Sequence, residues 1–139
     1  MKYRHCVLIA GVASALLGCN RFEDVTLVDG KPPSDPAGYW NATWTIAKSS
    51  AAHASISCAD AGARAVTARI RGAGGGQPRA YRIPCEASAG WLPIQPGDWR
   101  VSADLIGDDG RILSSIPEYA MSVKTKTDRR RTPMLFKIK

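Results

Sequence analysis

The chain has 139 residues, 19 Lys and Arg against 12 Asp and Glu for a formal charge of +7, and 45% hydrophobic residues. That length suits one domain rather than two, and so mild an excess of positive charge does not by itself argue nucleic-acid binding. With two histidines and no Gly-x-Ser-x-Gly, Ser-x-x-Lys or His-Glu-x-x-His, the chain lacks the signatures of the common hydrolases and zinc peptidases.

Met1-Lys2-Tyr3-Arg4-His5 carries two positive charges and no acid, and residues 7–17 follow without any charge. Crossing a hydrocarbon core takes roughly 20 helical residues, so this run reads as a secretory h-region rather than a membrane span. It closes on Leu16-Leu17-Gly18-Cys19. That ending resembles the lipobox of bacterial lipoproteins. The resemblance implies a signal peptide over residues 1–18, cleavage after Gly18, and a lipid on the Cys19 sulfur that anchors an exported chain at a bilayer. Asn20 in place of Asp implies the outer membrane, where sorting follows that residue. An ordinary signal peptide, cut by small-residue recognition at Ala13, Ala15 or Gly18, is the alternative. The lipoprotein reading leaves 121 residues and, with Lys2 and Arg4 gone, a charge of +5.

Cys6 leaves with the signal and Cys19 takes the lipid, so Cys58 and Cys85 remain. In an oxidising compartment two thiols predict one disulfide, the other outcome being two separately buried cysteines. Zinc is poorly served, because His53 is the single histidine of the processed chain. The bridge constrains the unfolded chain by roughly 3–4 kcal/mol in the chain-entropy account.

Residues 19–38 read as a lipidated N-terminus and flexible tether, since Asp29-Gly30, Lys31-Pro32-Pro33-Ser34-Asp35-Pro36 and Gly38 interrupt any regular element. Such a tether reaches about 60 Å extended and about 25 Å as a coil. Apolar patches at Phe22 and residues 25–28 leave room for a small docked strand. The domain proper is assigned to residues 39–139. Its first strand alternates Trp40, Ala42, Trp44 and Ile46 with Asn41, Thr43 and Thr45. A single helical turn fits 59–62. Two further strands, 65–71 and 80–85, flank the Gly-rich break at 72–78 and pair as neighbours. Leu92-Pro93-Ile94-Gln95-Pro96-Gly97-Asp98 is a turn-rich approach in which Gly97 takes a positive φ. Trp99, Val101, Ala103 and Leu105 then define an inner face, and Gly107-Asp108-Asp109-Gly110 is a hairpin turn. Strands near 111–116, 119–124 and 134–138 complete the chain.

Short strands at intervals near ten residues, with no sustained helical period, predict an all-β fold: an antiparallel β-sandwich of about seven strands with one disulfide. Residues 92–113 resemble a pattern of immunoglobulin-like and prealbumin-like modules, in which a Pro-Gly turn, an aromatic-led strand and an Asp-Gly hairpin succeed one another. A wider likeness, to small exported bacterial lipoproteins, rests on the Trp-rich strand 40–46, Cys58 before the second strand and Cys85 ending the third. Both imply a shape and no single activity. No tryptophan lies between Cys58 and Cys85, so an antibody-type bridge packed on a tryptophan is not expected. Trp40, Trp44 and Trp99 are predicted in the core, and Trp91 at an exposed turn.

His53 lies in a small-residue connection, where a solvated side chain is expected. Gly72, Gly74, Gly75 and Gly76 precede no Lys-Ser or Lys-Thr and read as a hairpin loop rather than a phosphate cradle. Asp104, Asp108 and Asp109 lack the ligand spacing of a calcium loop. Asn41-Ala42-Thr43 matches a glycosylation acceptor only formally. The cluster with a partner in view is Lys124, Lys126, Arg129, Arg130 and Arg131, read as a basic connection between the last two strands. Each cation near an anionic membrane surface contributes about 1 kcal/mol, and edge cations also deter sheet-to-sheet pairing. The expectation is therefore an envelope lipoprotein acting as a non-catalytic binding or scaffolding module. It needs no cofactor or metal and has no nucleic-acid partner. Its contacts are the bilayer through Cys19 and an anionic envelope component or envelope protein through Trp91 and the basic residues. The alternatives are a small envelope enzyme or enzyme inhibitor, for which His53 with Asp60, Glu86 or Asp98 would be needed, and a structural subunit of a secretion or cell-wall assembly.

Overall fold

The computed structural model describes residues 25–31, 38–50, 54–125 and 129–139. They form nine strands: β1 (Val25–Leu27), β2 (Tyr39–Lys48), β3 (Ser55–Ile56), β4 (Ala63–Gly72), β5 (Gly75–Pro84), β6 (Ala89–Pro93), β7 (Gly97–Gly107), β8 (Ile112–Val123) and β9 (Arg129–Ile138). Sheet one has the order β1-β5-β4-β7-β8. In sheet two β2 is central, with β9 along one edge and with β6 and β3 sharing the other. The fold is an all-β sandwich, as the alternating pattern predicts.

Period-two alternation carries directly into the packing. Trp40, Ala42, Trp44 and Ile46 of β2 are buried and meet Val66, Ala68, Ile70, Ile83, Val101, Ala103 and Leu105 from the opposite sheet. Met134 and Phe136 of β9 and Leu92 of β6 fill the same core. Gly90 shows how closely the layers approach, because a Cβ there would lie 2.4 Å from Ile83 Cδ1. The Asp109-Gly110 hairpin joins β7 to β8, with Gly110 at φ +83° and its N–H donating to the Gly107 carbonyl at 2.9 Å. Gly97 has the positive φ expected of it, at +145°.

The structure departs from the sequence reading in four respects. Two of the pairings, β1 with β5 and β2 with β9, are parallel. The two strands expected over 111–116 and 119–124 are one, β8, which follows β7 through two register shifts. Residues 89–93, given no strand and overlapping the expected turn approach of 92–98 at their last two positions, form β6 and pair with β2. The segment assigned to a free tether includes β1, which continues into a bond from Val28 N–H to the Arg82 carbonyl at 3.0 Å. The folded unit therefore begins before Tyr39.

Cys58 and Cys85 are bridged, with Cα atoms 6.0 Å apart. Cys58 lies on the crossing from β3 in sheet two to β4 in sheet one, and Cys85 opens a single 3₁₀ turn on the crossing from β5 back to β6. One covalent link thus ties both crossings at one end of the sandwich. Trp44 donates its indole N–H to the Cys85 carbonyl at 3.2 Å. A core tryptophan does sit at the bridge, contributed by β2 rather than from between the cysteines. Before β4 the expected turn is present, with Ala61 N–H on the Ser57 carbonyl and Gly62 N–H on that of Ala59. At the opposite, open end lie the β4–β5 hairpin, the entry to β7, the exit of β8 and the start of β9.

Candidate functional site

Strand register fixes which polar residues share a surface. On the outer face of sheet two, Asn41 pairs with Trp91 of β6 on one side and with Arg131 of β9 on the other. Tyr39, one pleat toward the open end, pairs with Pro93 and Arg129 in the same way. Strand β9 alternates sharply: Met134 and Phe136 are buried, while Arg131, Pro133, Leu135 and Lys137 are exposed, Leu135 at 44%. The result is a flat strip that runs aromatic, amide, cation across three strands.

Asn41 is half-buried, and its Oδ1 is sealed from solvent without a hydrogen-bond partner among the described residues. An orphaned buried acceptor costs about 1–3 kcal/mol, so this oxygen lends β2 no hydrogen-bond stabilisation from the described residues. The neighbouring Thr43 is satisfied, its hydroxyl donating to the Thr132 carbonyl at 3.4 Å. On the inner side Trp40 donates its indole N–H to the Thr132 hydroxyl at 3.2 Å.

The residues singled out from sequence divide between this face and the open end. Trp91 is a half-buried strand residue, not a turn residue; pairing of β6 with β2 positions it. The basic run is not a single loop, because Arg129, Arg130 and Arg131 begin β9. Arg131 lies on the outer face, and Lys124 is exposed just past β8. Lys126, His53, Cys19 and the rest of the leader lie outside the described residues. Trp40 and Trp44 are core residues, whereas Trp99 is half-buried at the open end, where its indole N–H donates to the Gln95 carbonyl at 2.9 Å and Arg79 lies 5.6 Å above its ring. Sequence reasoning missed Asn41 as the cross-strand partner of Trp91, and Tyr39 one pleat away. Their outward phase was readable, but the strands beside them were not.

The outer face of sheet one is self-satisfied by contrast. Arg69 pairs with Asp104, which also accepts from Ser115, and Arg71 pairs with Glu118 through two bonds of 2.8 Å. Those bonds hold the Glu118 carboxyl below its ordinary value. Asp104 is thus committed to Arg69 rather than to a cation beside Asp108 and Asp109, and the described residues contain no group of three or more His, Cys, Asp or Glu able to hold a metal. No helix among them is long and apolar enough to cross a membrane.

Fold and surface together define a disulfide-stapled β-sandwich module whose sheet-one outer face is tied by the Arg69–Asp104 and Arg71–Glu118 ion pairs. No family model matches the chain, and no curated protein sequence does. Among solved structures, a leucine-rich repeat protein from Bacteroides thetaiotaomicron VPI-5482 is similar over 76% of this chain and 12% of its own length, with 11% identity and a TM-score of 0.41. The chain therefore spans only about an eighth of that protein.

Proposed function

We propose that the protein is an exported bacterial lipoprotein, anchored at the outer membrane through lipid on Cys19, whose β-sandwich is a non-catalytic binding module for an anionic envelope polymer. The observation that supports it is the Trp91–Asn41–Arg131 strip. An aromatic ring beside a cation suits an acidic sugar, whose apolar ring face stacks on indole while its carboxylate meets guanidinium in a charge-assisted hydrogen bond. Mid-face, the Asn41 amide supplies donors to sugar hydroxyls. Anchoring close to the source of the ligand compensates for weak individual contacts by raising its effective concentration.

The test is retention on immobilised polygalacturonate in low and moderate salt. Wild type is retarded in a salt-sensitive way. Trp91→Ala and Arg131→Ser, which alter side chains outside the core, are each retarded several-fold less while melting within a few degrees of wild type. Equal retention of all three proteins would retire the binding face. The anchor is tested separately by labelled fatty acid, which enters wild type and not Cys19→Ala.

A further inference from the structure

The docking of β1 changes what a lipid at Cys19 would do. Strand β1 runs parallel to β5, with Val25 beside Ala80 and Leu27 beside Arg82. Strand β5 runs from the open end at Gly75 to the bridged end at Pro84. The chain therefore enters β1 from the open-end side. Only six residue steps separate Cys19 from Val25, a covalent reach of about 20 Å, against about 60 Å for a tether that ended at Tyr39. The stretch of β5 from Ala80 back to Gly75 covers about 17 Å. A reach of that length bounds Cys19 to no farther along the β5 axis than roughly the hairpin tip.

Charge is polarised along the same axis. Arg79, Lys124 and Arg131 lie at the open end, where β9 begins at Arg129, and Asp98 is the acid among the described residues there. The bridged end carries Asp60, Glu86, Asp108 and Asp109, all exposed, among Lys48, Arg64, Arg111 and Lys139. Trp99 with Arg79 over its ring adds, at the open end, the amphipathic pairing that suits a headgroup boundary.

We infer that the open end of the sandwich, built from Arg79, Trp99, Lys124 and Arg131, is the surface this protein lays against anionic lipid headgroups. The inference rests on the anchor proposed at Cys19, and it fixes an orientation that the anchor alone leaves free. The bilayer holds the open end with its excess of cations, and the bridged end, where acids and bases balance, points away from it. The Trp91–Asn41–Arg131 face then stands upright, roughly normal to the membrane.

The acylated full-length protein allows a direct test, because Cys6 leaves with the signal, Cys19 is blocked and Cys58 is bonded to Cys85. Ala73→Cys at the open-end hairpin and Asp108→Cys at the bridged end each introduce one free thiol at an exposed position. Each variant is labelled with a fluorophore and placed in vesicles of three parts phosphatidylcholine to one part phosphatidylglycerol, doped with a headgroup nitroxide quencher. The label at 73 is quenched at least twofold more than the label at 108, and replacing Arg79, Lys124, Arg129 and Arg131 by Ser collapses the difference. Equal or reversed quenching in the acylated protein overturns the orientation alone. A difference unmoved by the four substitutions overturns the role of charge. Intact mass without the lipid overturns the anchor and the orientation with it.

Discussion

At single positions the sandwich separates residues that serve packing from those that do not. Gly90 belongs to the first kind, since its Cβ would collide with Cδ1 and Cγ1 of the fully buried, β-branched Ile83 at 2.4 and 2.9 Å. Ile83 has few rotamers to retreat into. Gly90→Ala is expected to lower stability by about 1–3 kcal/mol through overpacking, read as a drop in the urea midpoint at unchanged slope. Asn41 belongs to the second kind. Asn41→Thr removes the orphaned oxygen and places a β-branched residue mid-strand, and is expected to raise stability by about 1 kcal/mol while weakening retention on the acidic polymer. A loss of stability on that change would mean the amide is structural. Two exposed carboxylates among the described residues contribute to the acid limb of stability. The hydrogen bonds from Arg71 hold Glu118 below its ordinary 4.5, and the backbone N–H of Arg111, then its guanidinium, hold Asp109 below its ordinary 3.8. A lowered folded value means that the unfolded chain binds the proton more readily. Their contribution is therefore complete above the unfolded values and is lost as pH falls through the folded ones. Urea midpoints should be level down to about pH 5 and decline below about pH 4, less steeply in Glu118→Gln.

Elements differ in how plainly they were written. Strand β2 was legible because Trp40 to Ile46 alternate without interruption, and the β7–β8 hairpin because Asp109-Gly110 allows little else. Strand β6 was obscured by its own composition: Gly90 and Pro93 advertise a turn, yet Gly90 is present because Ile83 leaves no room, and Pro93 closes the strand. The arginines of β9 read as a loop because three successive cations hide an alternation that becomes visible only from Thr132, Met134 and Phe136 onward. For the binding strip, Trp91 and Arg131 were visible as residues, but their meeting at Asn41 depends on long-range register, which local pattern does not encode. Strand β1 is the sharpest case, three residues whose pairing depends wholly on the free edge of β5. So short a strand is the weakest-held part of the sheet. Val28→Pro deletes the N–H that reaches the Arg82 carbonyl. It should speed amide exchange at residues 26 and 27, leaving β4 and β7 protected and global stability changed by no more than about 1 kcal/mol. Protection lost throughout sheet one would show that β1 is integral to the core rather than docked on it.

For the molecule as a whole, stability turns on the Cys58–Cys85 link. A domain of about 115 residues has a total stability on the order of 5–15 kcal/mol, and its two sheets join through crossings at both ends. The Cys58–Cys85 bond spans 27 residues of sequence and closes a loop worth roughly 3–4 kcal/mol in the unfolded chain. Its position adds to that count, because it binds the β3–β4 and β5–β6 crossings to each other, while Trp44 caps the Cys85 carbonyl from the core. Local fraying at either crossing is therefore opposed by the other. Cys58→Ser with Cys85→Ser, which leaves no free thiol, should lower the melting temperature by on the order of 15–25 °C. Reduced wild type should melt at nearly the same temperature as the double variant, since both lack the same constraint. If reductant leaves the wild-type melt in place while alkylation confirms two free thiols, packing around Trp44 alone holds the sheets together and the bridge is incidental.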